Sequence, residues 1–226
     1  FINSAPVLVN SVAYRSALSG DAGFVKYRTA TANRTPVLYV GGNDGMLHAF
    51  NADANSDGTK KTDSGKEILA YVPSAVYSKL NKLSWVDYSH LYYVDATPVV
   101  ADAQVSSGCT ASDAYACWRS VLVGGLGAGG QGIYALNVTD PSRFGTAPAR
   151  DIVMWEFTDR DDADLGFTFA RPFVRKMNNG KWAVIIGNGY NSKDMDGDVG
   201  AIERPGSGEA ALFILFMDGP TGSNRA

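Results

Sequence analysis

The sequence predicts an all-β fold with long loop insertions and little helix. Three observations carry that prediction. A strand, glycine-turn, strand pattern recurs along the chain; the first strand of each unit is almost continuously apolar; and apolar residues at helical spacing are confined to short stretches.

The pattern is clearest in the first third of the chain. Thr35-Pro36-Val37-Leu38-Tyr39-Val40 is rich in β-formers, Met46-Leu47-His48-Ala49-Phe50 is a second such run, and Gly41-Gly42-Asn43-Asp44-Gly45 separates them. The Asp-Gly pair favours tight turns with positive φ, which is hairpin chemistry. The same order returns at residues 120–123, 124–132 and 133–138, and again at 182–186, 187–189 and 211–216. Residues 91–102 and 3–9 share a small-residue, proline, apolar form that suits a strand start, where the missing N–H of proline lies outside the ladder. Val153-Met154-Trp155-Glu156-Phe157 alternates as an outer strand does. Residues 73–83, with Val76, Leu80 and Leu83 after Pro73-Ser74, predict one short helix. Repeats of roughly 40 residues with glycine turns are the pattern of propeller blades, and on that scale the chain holds about four or five. The expectation is therefore a partial or modified β-propeller, with residues 1–226 forming one such domain or a fragment of one.

Composition narrows the functional classes. With 45% hydrophobic and 19% charged residues the chain belongs with folded proteins, and a net charge of −3 offers no field to draw in nucleic acid or an anionic membrane. No apolar run approaches the roughly 20 residues needed to span a bilayer. Phe1 stands where a methionine would open a complete reading frame, so the chain is expected to be part of a longer protein whose leader lies elsewhere. Cys109 and Cys117 are the only cysteines, and the segment between them is small and polar. Their spacing does not match a zinc pair, and a loop-closing disulfide in an oxidising compartment is expected. Closing so short a loop stabilises a fold by roughly 2–3 kcal/mol in the chain-entropy account.

Two acidic loops resemble calcium sites. Asp53-Ala54-Asn55-Ser56-Asp57-Gly58 follows the first half of a calcium loop, in which alternate side chains converge on one cation and a glycine permits the turn. Ser64 falls where the bidentate glutamate belongs, leaving adjacent Asp63 as the substitute ligand. In the second loop, counted from Ser192, Asp194, Asp196 and Glu203 take positions 3, 5 and 12, with Asp198 beside them. Calcium is thus the one cofactor expected, with Ser192, Asp194, Asp196, Asp198 and Glu203 or Asp53, Asn55, Asp57 and Asp63 as ligands.

Several segments together resemble the PilY/PilC-type proteins of type IV pili. They are Tyr39-Val40-Gly41-Gly42-Asn43-Asp44-Gly45-Met46-Leu47-His48-Ala49-Phe50, Asp95-Ala96-Thr97-Pro98-Val99, the glycine run 124–130, Tyr134-Ala135-Leu136-Asn137-Val138-Thr139-Asp140-Pro141 and Gly187-Asn188-Gly189-Tyr190-Asn191-Ser192. The resemblance covers about residues 35–215 and lies in that family's C-terminal propeller. It implies a cell-surface, pilus-tip or outer-membrane-associated protein acting in pilus assembly, retraction control and adhesion. The partners it implies are minor pilins and host-cell surface receptors. The family's usual calcium loop falls further along than this chain extends, and loops 53–66 and 193–209 are longer than the family's turns.

Catalytic patterns are missing from the sequence. There is no G-x-S-x-G elbow, H-E-x-x-H or P-loop, and the glycine run 125–130 is followed by strand residues where a dinucleotide fold needs a helix. His48 and His90 are the only histidines, and His48 lies in a repeat strand, where a structural role is expected. The acidic run 159–164 reads as a solvated loop. The expectation is a non-enzymatic binding module. The alternatives are a quinone-cofactor dehydrogenase-like propeller, disfavoured because Cys109 and Cys117 are not adjacent, and a scaffold propeller without ligand.

Overall fold

The computed structural model describes residues 3–12, 18, 20–106, 109, 114–190 and 206–219. Its strands form three antiparallel sheets, each built from consecutive strands. The first contains β1 (Val7–Val9), β2 (Val37–Gly41), β3 (Leu47–Asn51) and β4 (Glu67–Tyr71). The second contains β5 (Val99–Gln104), β6 (Trp118–Gly125), β7 (Gly132–Asn137) and β8 (Val153–Thr158). The third contains β9 (Phe173–Lys176), β10 (Trp182–Gly187) and β11 (Leu212–Phe216). β5 touches both β1 and β9, so the first strands of the three sheets gather on one side.

Alternation along the middle sheet explains the unbroken apolar runs of the sequence. Val121, Val123, Ile133 and Ala135 pack with Val174, Val184 and Ile186 of the third sheet. Their immediate neighbours Leu122, Tyr134 and Leu136 pack with Val37, Tyr39, Leu47 and Ala49 of the first. Successive side chains point to opposite faces, and both faces of this sheet are covered. That is blade-on-blade packing of the propeller kind. Truncating Leu122 to alanine at such a site costs about 2–5 kcal/mol.

The structure differs from expectation at four points. Three sheets form among the described residues where the repeat spacing predicts four or five blades. The insertions between strands stretch the first two units well past 40 residues. β4 and β9 are not legible in the sequence, because both are short and mix charged with apolar residues. Residues 74–84 form 3₁₀ turns instead of an α-helix, with only Val76 buried. A helix absent from the sequence reading, α1 (Ala22–Ala30), is capped by the Asp21 carboxylate, which accepts from Phe24 N at 2.9 Å. Only Gly23, Phe24 and Tyr27 of α1 are buried, too thin a stripe to read as periodicity. Phe24 meets Trp118 at 4.8 Å between ring centres, and the Tyr27 hydroxyl lies 3.1 Å from Asp102 and 2.6 Å from Ser120.

Candidate functional site

The glycine turns that the sequence emphasises clasp the chain as it approaches the next sheet. In the first turn, Gly42 O accepts from Val94 N at 3.2 Å and Asn43 Oδ1 accepts from Tyr93 N at 3.1 Å. The Asn43 amide also reaches Asp95 at 3.5 Å. Gly41 must lack a side chain, since a Cβ there would overlap the Val94 carbonyl oxygen. In the second turn, Thr168 is the centre. Its hydroxyl accepts from Leu126 N at 2.8 Å and donates to Gly132 O at 2.9 Å, while its carbonyl accepts from Gly127 N at 3.3 Å. A Cβ on Gly129 would overlap the Tyr93 carbonyl, so the two turns meet at the same stretch of chain.

His48 of β3 sits beside the first turn with its ring between two carboxylates. Nδ1 is 2.5 Å from Glu67 of β4 and Nε2 is 2.9 Å from Asp44. Burial opposes the charged ring, but the hydrogen bonds to Glu67 and Asp44 outweigh it and raise the histidine above its ordinary value. Protonated, the ring donates to both carboxylates; neutral, it can donate to only one. Both ring nitrogens of His48 are thus satisfied, which fits the structural role expected of it.

The clasped segments lead into the first strands and converge on a cavity of about 460 Å³. Asn3, Asp95, Thr97, Gly127, Phe169 and Arg171 line it. Asp95 is 4% exposed, and its carboxylate accepts from Asn3 Nδ2 at 2.7 Å. The Thr97 hydroxyl accepts from Ala5 N at 2.8 Å, tying the approach to β1 against the approach to β5. Phe169 and Arg171 are exposed at the rim. The mouth therefore offers a buried carboxylate, an exposed guanidinium and an exposed ring, a combination suited to recognition. Sequence reasoning passes over Thr168, Phe169 and Arg171. A signal is present all the same, since Ser4-Ala5-Pro6, Ala96-Thr97-Pro98 and Ala170-Arg171-Pro172 each place proline just before an apolar strand start.

The first acidic loop is turned inward on itself. Lys61 Nζ donates to Asp53 at 2.8 Å, Asn55 Nδ2 to Thr59 at 2.9 Å, and Lys66 Nζ to Asp63 at 2.6 Å. Asp57 accepts from the hydroxyl and backbone N–H of Thr59, which hold its carboxyl below the usual range. Asp53 and Asp63 are thus engaged by lysines and Asn55 and Asp57 by the one Thr59, and no group of three or more His, Cys, Asp or Glu is placed to hold a metal among the described residues. The second loop, with Ser192, Asp194, Asp196, Asp198 and Glu203, lies outside the described residues. The expected disulfide is present between Cys109 and Cys117. The acidic run is less detached than a solvated loop. The Asp164 carboxylate is held low by its bonds from Ser207, and its carbonyl accepts from Asn188 of the third glycine turn at 3.1 Å.

Known proteins match this chain over most of its length. A sequence profile of the PilY1 β-propeller domain matches residues 1–224. The type IV pilus biogenesis factor PilY1 of Pseudomonas aeruginosa strain UCBPP-PA14 is 41% identical over 201 residues, which is 84% of this chain and 15% of that protein. A PilY1 homologue of Xylella fastidiosa is 41% identical over 195 residues, 84% of this chain and 14% of its own length. The crystal structure of the P. aeruginosa PilY1 C-terminal domain superposes with a TM-score of 0.63 at 34% identity, over 94% of this chain and 35% of that one. The chain thus spans about one-seventh of the length of these curated relatives. With the family profile, the sequence identity and the fold in agreement, the chain belongs to the PilY1 β-propeller family.

Proposed function

We propose that this chain is the propeller module of a type IV pilus biogenesis factor, and that it works by presenting loops to protein partners at the cell surface. The observation carrying this reading is the 41% identity to a pilus biogenesis factor over 84% of the chain. The insertion after β4 supports a recognition role. It is anchored by buried Val76 and leaves Tyr77, Trp85, Val86 and Tyr88 exposed, an aromatic-rich set of the kind that dominates binding surfaces. No helix among the described residues is long and apolar enough to cross a membrane. Minor pilins are the partners proposed for assembly and retraction control, and host-cell receptors those for adhesion. Calcium bound by the loop from Ser192 to Glu203 is proposed to modulate it, as an extracellular site of dissociation constant about 10⁻⁴ to 10⁻³ M.

Replacing residues 1–226 with an inert linker in the full-length protein of a piliated bacterium tests the reading. The expected result is loss of surface pili and of twitching motility. Normal pilus number and motility in that strain would overturn it. For calcium, terbium luminescence is expected to rise on the unmodified chain and to fall in Asp196→Ala. An identical signal from both proteins would remove the second loop from consideration.

A further inference from the structure

A second cavity lies at the opposite end of the sheets from the mouth, where β5, β7 and β11 finish and β6 and β8 begin. Its volume is about 440 Å³, within the range of small-ligand sites. Three arginines and two aspartates line it, on a floor that includes Val105, Trp155 and Met217. Those three floor residues are buried.

The charges on this wall do not cancel. Arg143 Nη2 pairs with Asp151 at 2.7 Å, which neutralises both. Asp218 accepts from Ser106 N at 2.5 Å and from its hydroxyl at 2.8 Å, so neutral donors hold it. Arg119 Nη1 donates to the carbonyls of Ala116 and Trp118 at 2.5 and 2.8 Å. Those bonds fix the guanidinium without cancelling its charge. Arg150 has no carboxylate partner among the described residues. The wall therefore carries one positive charge in excess, with one arginine held rigidly and one available to close on a ligand.

An excess of one charge suits a monoanion, and the planar guanidinium fork matches a carboxylate. Partly exposed Met154, beside Trp155 on this floor, suits an aliphatic or aromatic group attached to that carboxylate. We propose that this cleft binds the carboxyl terminus of a polypeptide whose last side chain is apolar. The carboxylate lies against Arg119 and Arg150, and the side chain covers Met154 and the open edge of Trp155. The proposal is independent of the pilus reading, since it rests on the cleft alone.

The test uses the 226-residue chain and the peptide N-acetyl-Phe-Leu, as free acid and as C-terminal amide, with binding followed by calorimetry. The acid is expected to bind at least about tenfold more tightly than the amide. Arg119→Gln and Arg150→Gln are each expected to erase that preference, and Arg150→Gln to leave the unfolding midpoint unchanged. Because the acid–amide pair is compared on the unmodified chain, the proposal stays testable even if Arg119→Gln disturbs folding. Equal binding of acid and amide, or no binding of the acid in the low millimolar range, overturns it. Hexanoate binding as tightly as the peptide makes the site one for free carboxylic acids and overturns the polypeptide assignment. Inorganic phosphate displacing the peptide at equal concentration makes it a simple anion site and likewise overturns it.

Discussion

The first and second glycine turns clasp the chain in the same manner, but opposite partners supply the side chain. In the first, Asn43 belongs to the turn and reaches out to Tyr93 N and Asp95. In the second, Thr168 belongs to the arriving segment and reaches into the turn, satisfying Leu126 N and Gly132 O with one hydroxyl. The Asn43 bond is partly buried, whereas both Thr168 bonds are buried. The repeat therefore preserves a geometry and leaves open which side fills it. The second clasp, being drier, should be the harder to disturb without loss.

Breaking the backbone approach should show the largest effect. Gly129→Ala, which forces a Cβ into the Tyr93 carbonyl, is expected to cost more than about 4 kcal/mol or to prevent folding. Denaturant unfolding measures it, and a midpoint near that of the parent would show that the turns can separate freely. Next comes the hydroxyl. Thr168→Val strands a buried N–H and should cost about 2 kcal/mol, while Thr168→Ser should recover most of that. Equal losses in both variants would point to packing of the methyl group as the cause. Asn43→Ala should cost about 1 kcal/mol, since the groups it leaves are nearer to solvent. A larger loss than that of Thr168→Val would reverse the ranking of the two clasps.

The smallest effect is pH-dependent and belongs to the first turn alone. The folded state holds His48 above its ordinary value, about 6.5, so it binds the proton more tightly than the unfolded chain does. The resulting stability is complete below that ordinary value and is lost as pH rises through the raised one. Stability is expected to decline over that window, and His48→Gln is expected to flatten the decline. A profile unchanged by the substitution would remove His48 from the linkage.

How much of this can be read in the sequence depends on whether a signal is local. β6 is legible because side chains covered on both faces leave a continuous apolar run, and β2 and β10 share such a run although Leu38 and Ile185 are only partly buried. The first turn is legible because Asn-Asp-Gly has its own backbone chemistry. Thr168 is not, since nothing around it in Gly166-Phe167-Thr168-Phe169 announces that one hydroxyl will serve two peptide groups 36 and 42 residues away. His48 is legible as a histidine of a strand, but its partner Glu67 lies 19 residues on and no short motif joins them. Spacing overstates the number of sheets seen among the described residues, because it measures insertions as well as strands. In the first acidic loop, Lys61, Lys66 and Thr59 take up the side chains that the motif singles out.

The two-faced middle sheet has a consequence for the order in which the chain acquires its shape. Each sheet among the described residues is a meander of consecutive strands, so each can form from local pairing. The first sheet is complete at Tyr71, yet the β6 and β7 residues that cover it lie between Trp118 and Asn137, near the middle of the chain. The apolar face of the first sheet is without that cover until the middle sheet has formed. During that interval Val37, Tyr39, Leu47 and Ala49 face water or a chaperone, and the middle sheet in turn waits for β10. Folding of this chain is thus a relay in which each newly made sheet shields its predecessor and exposes a fresh apolar face of its own.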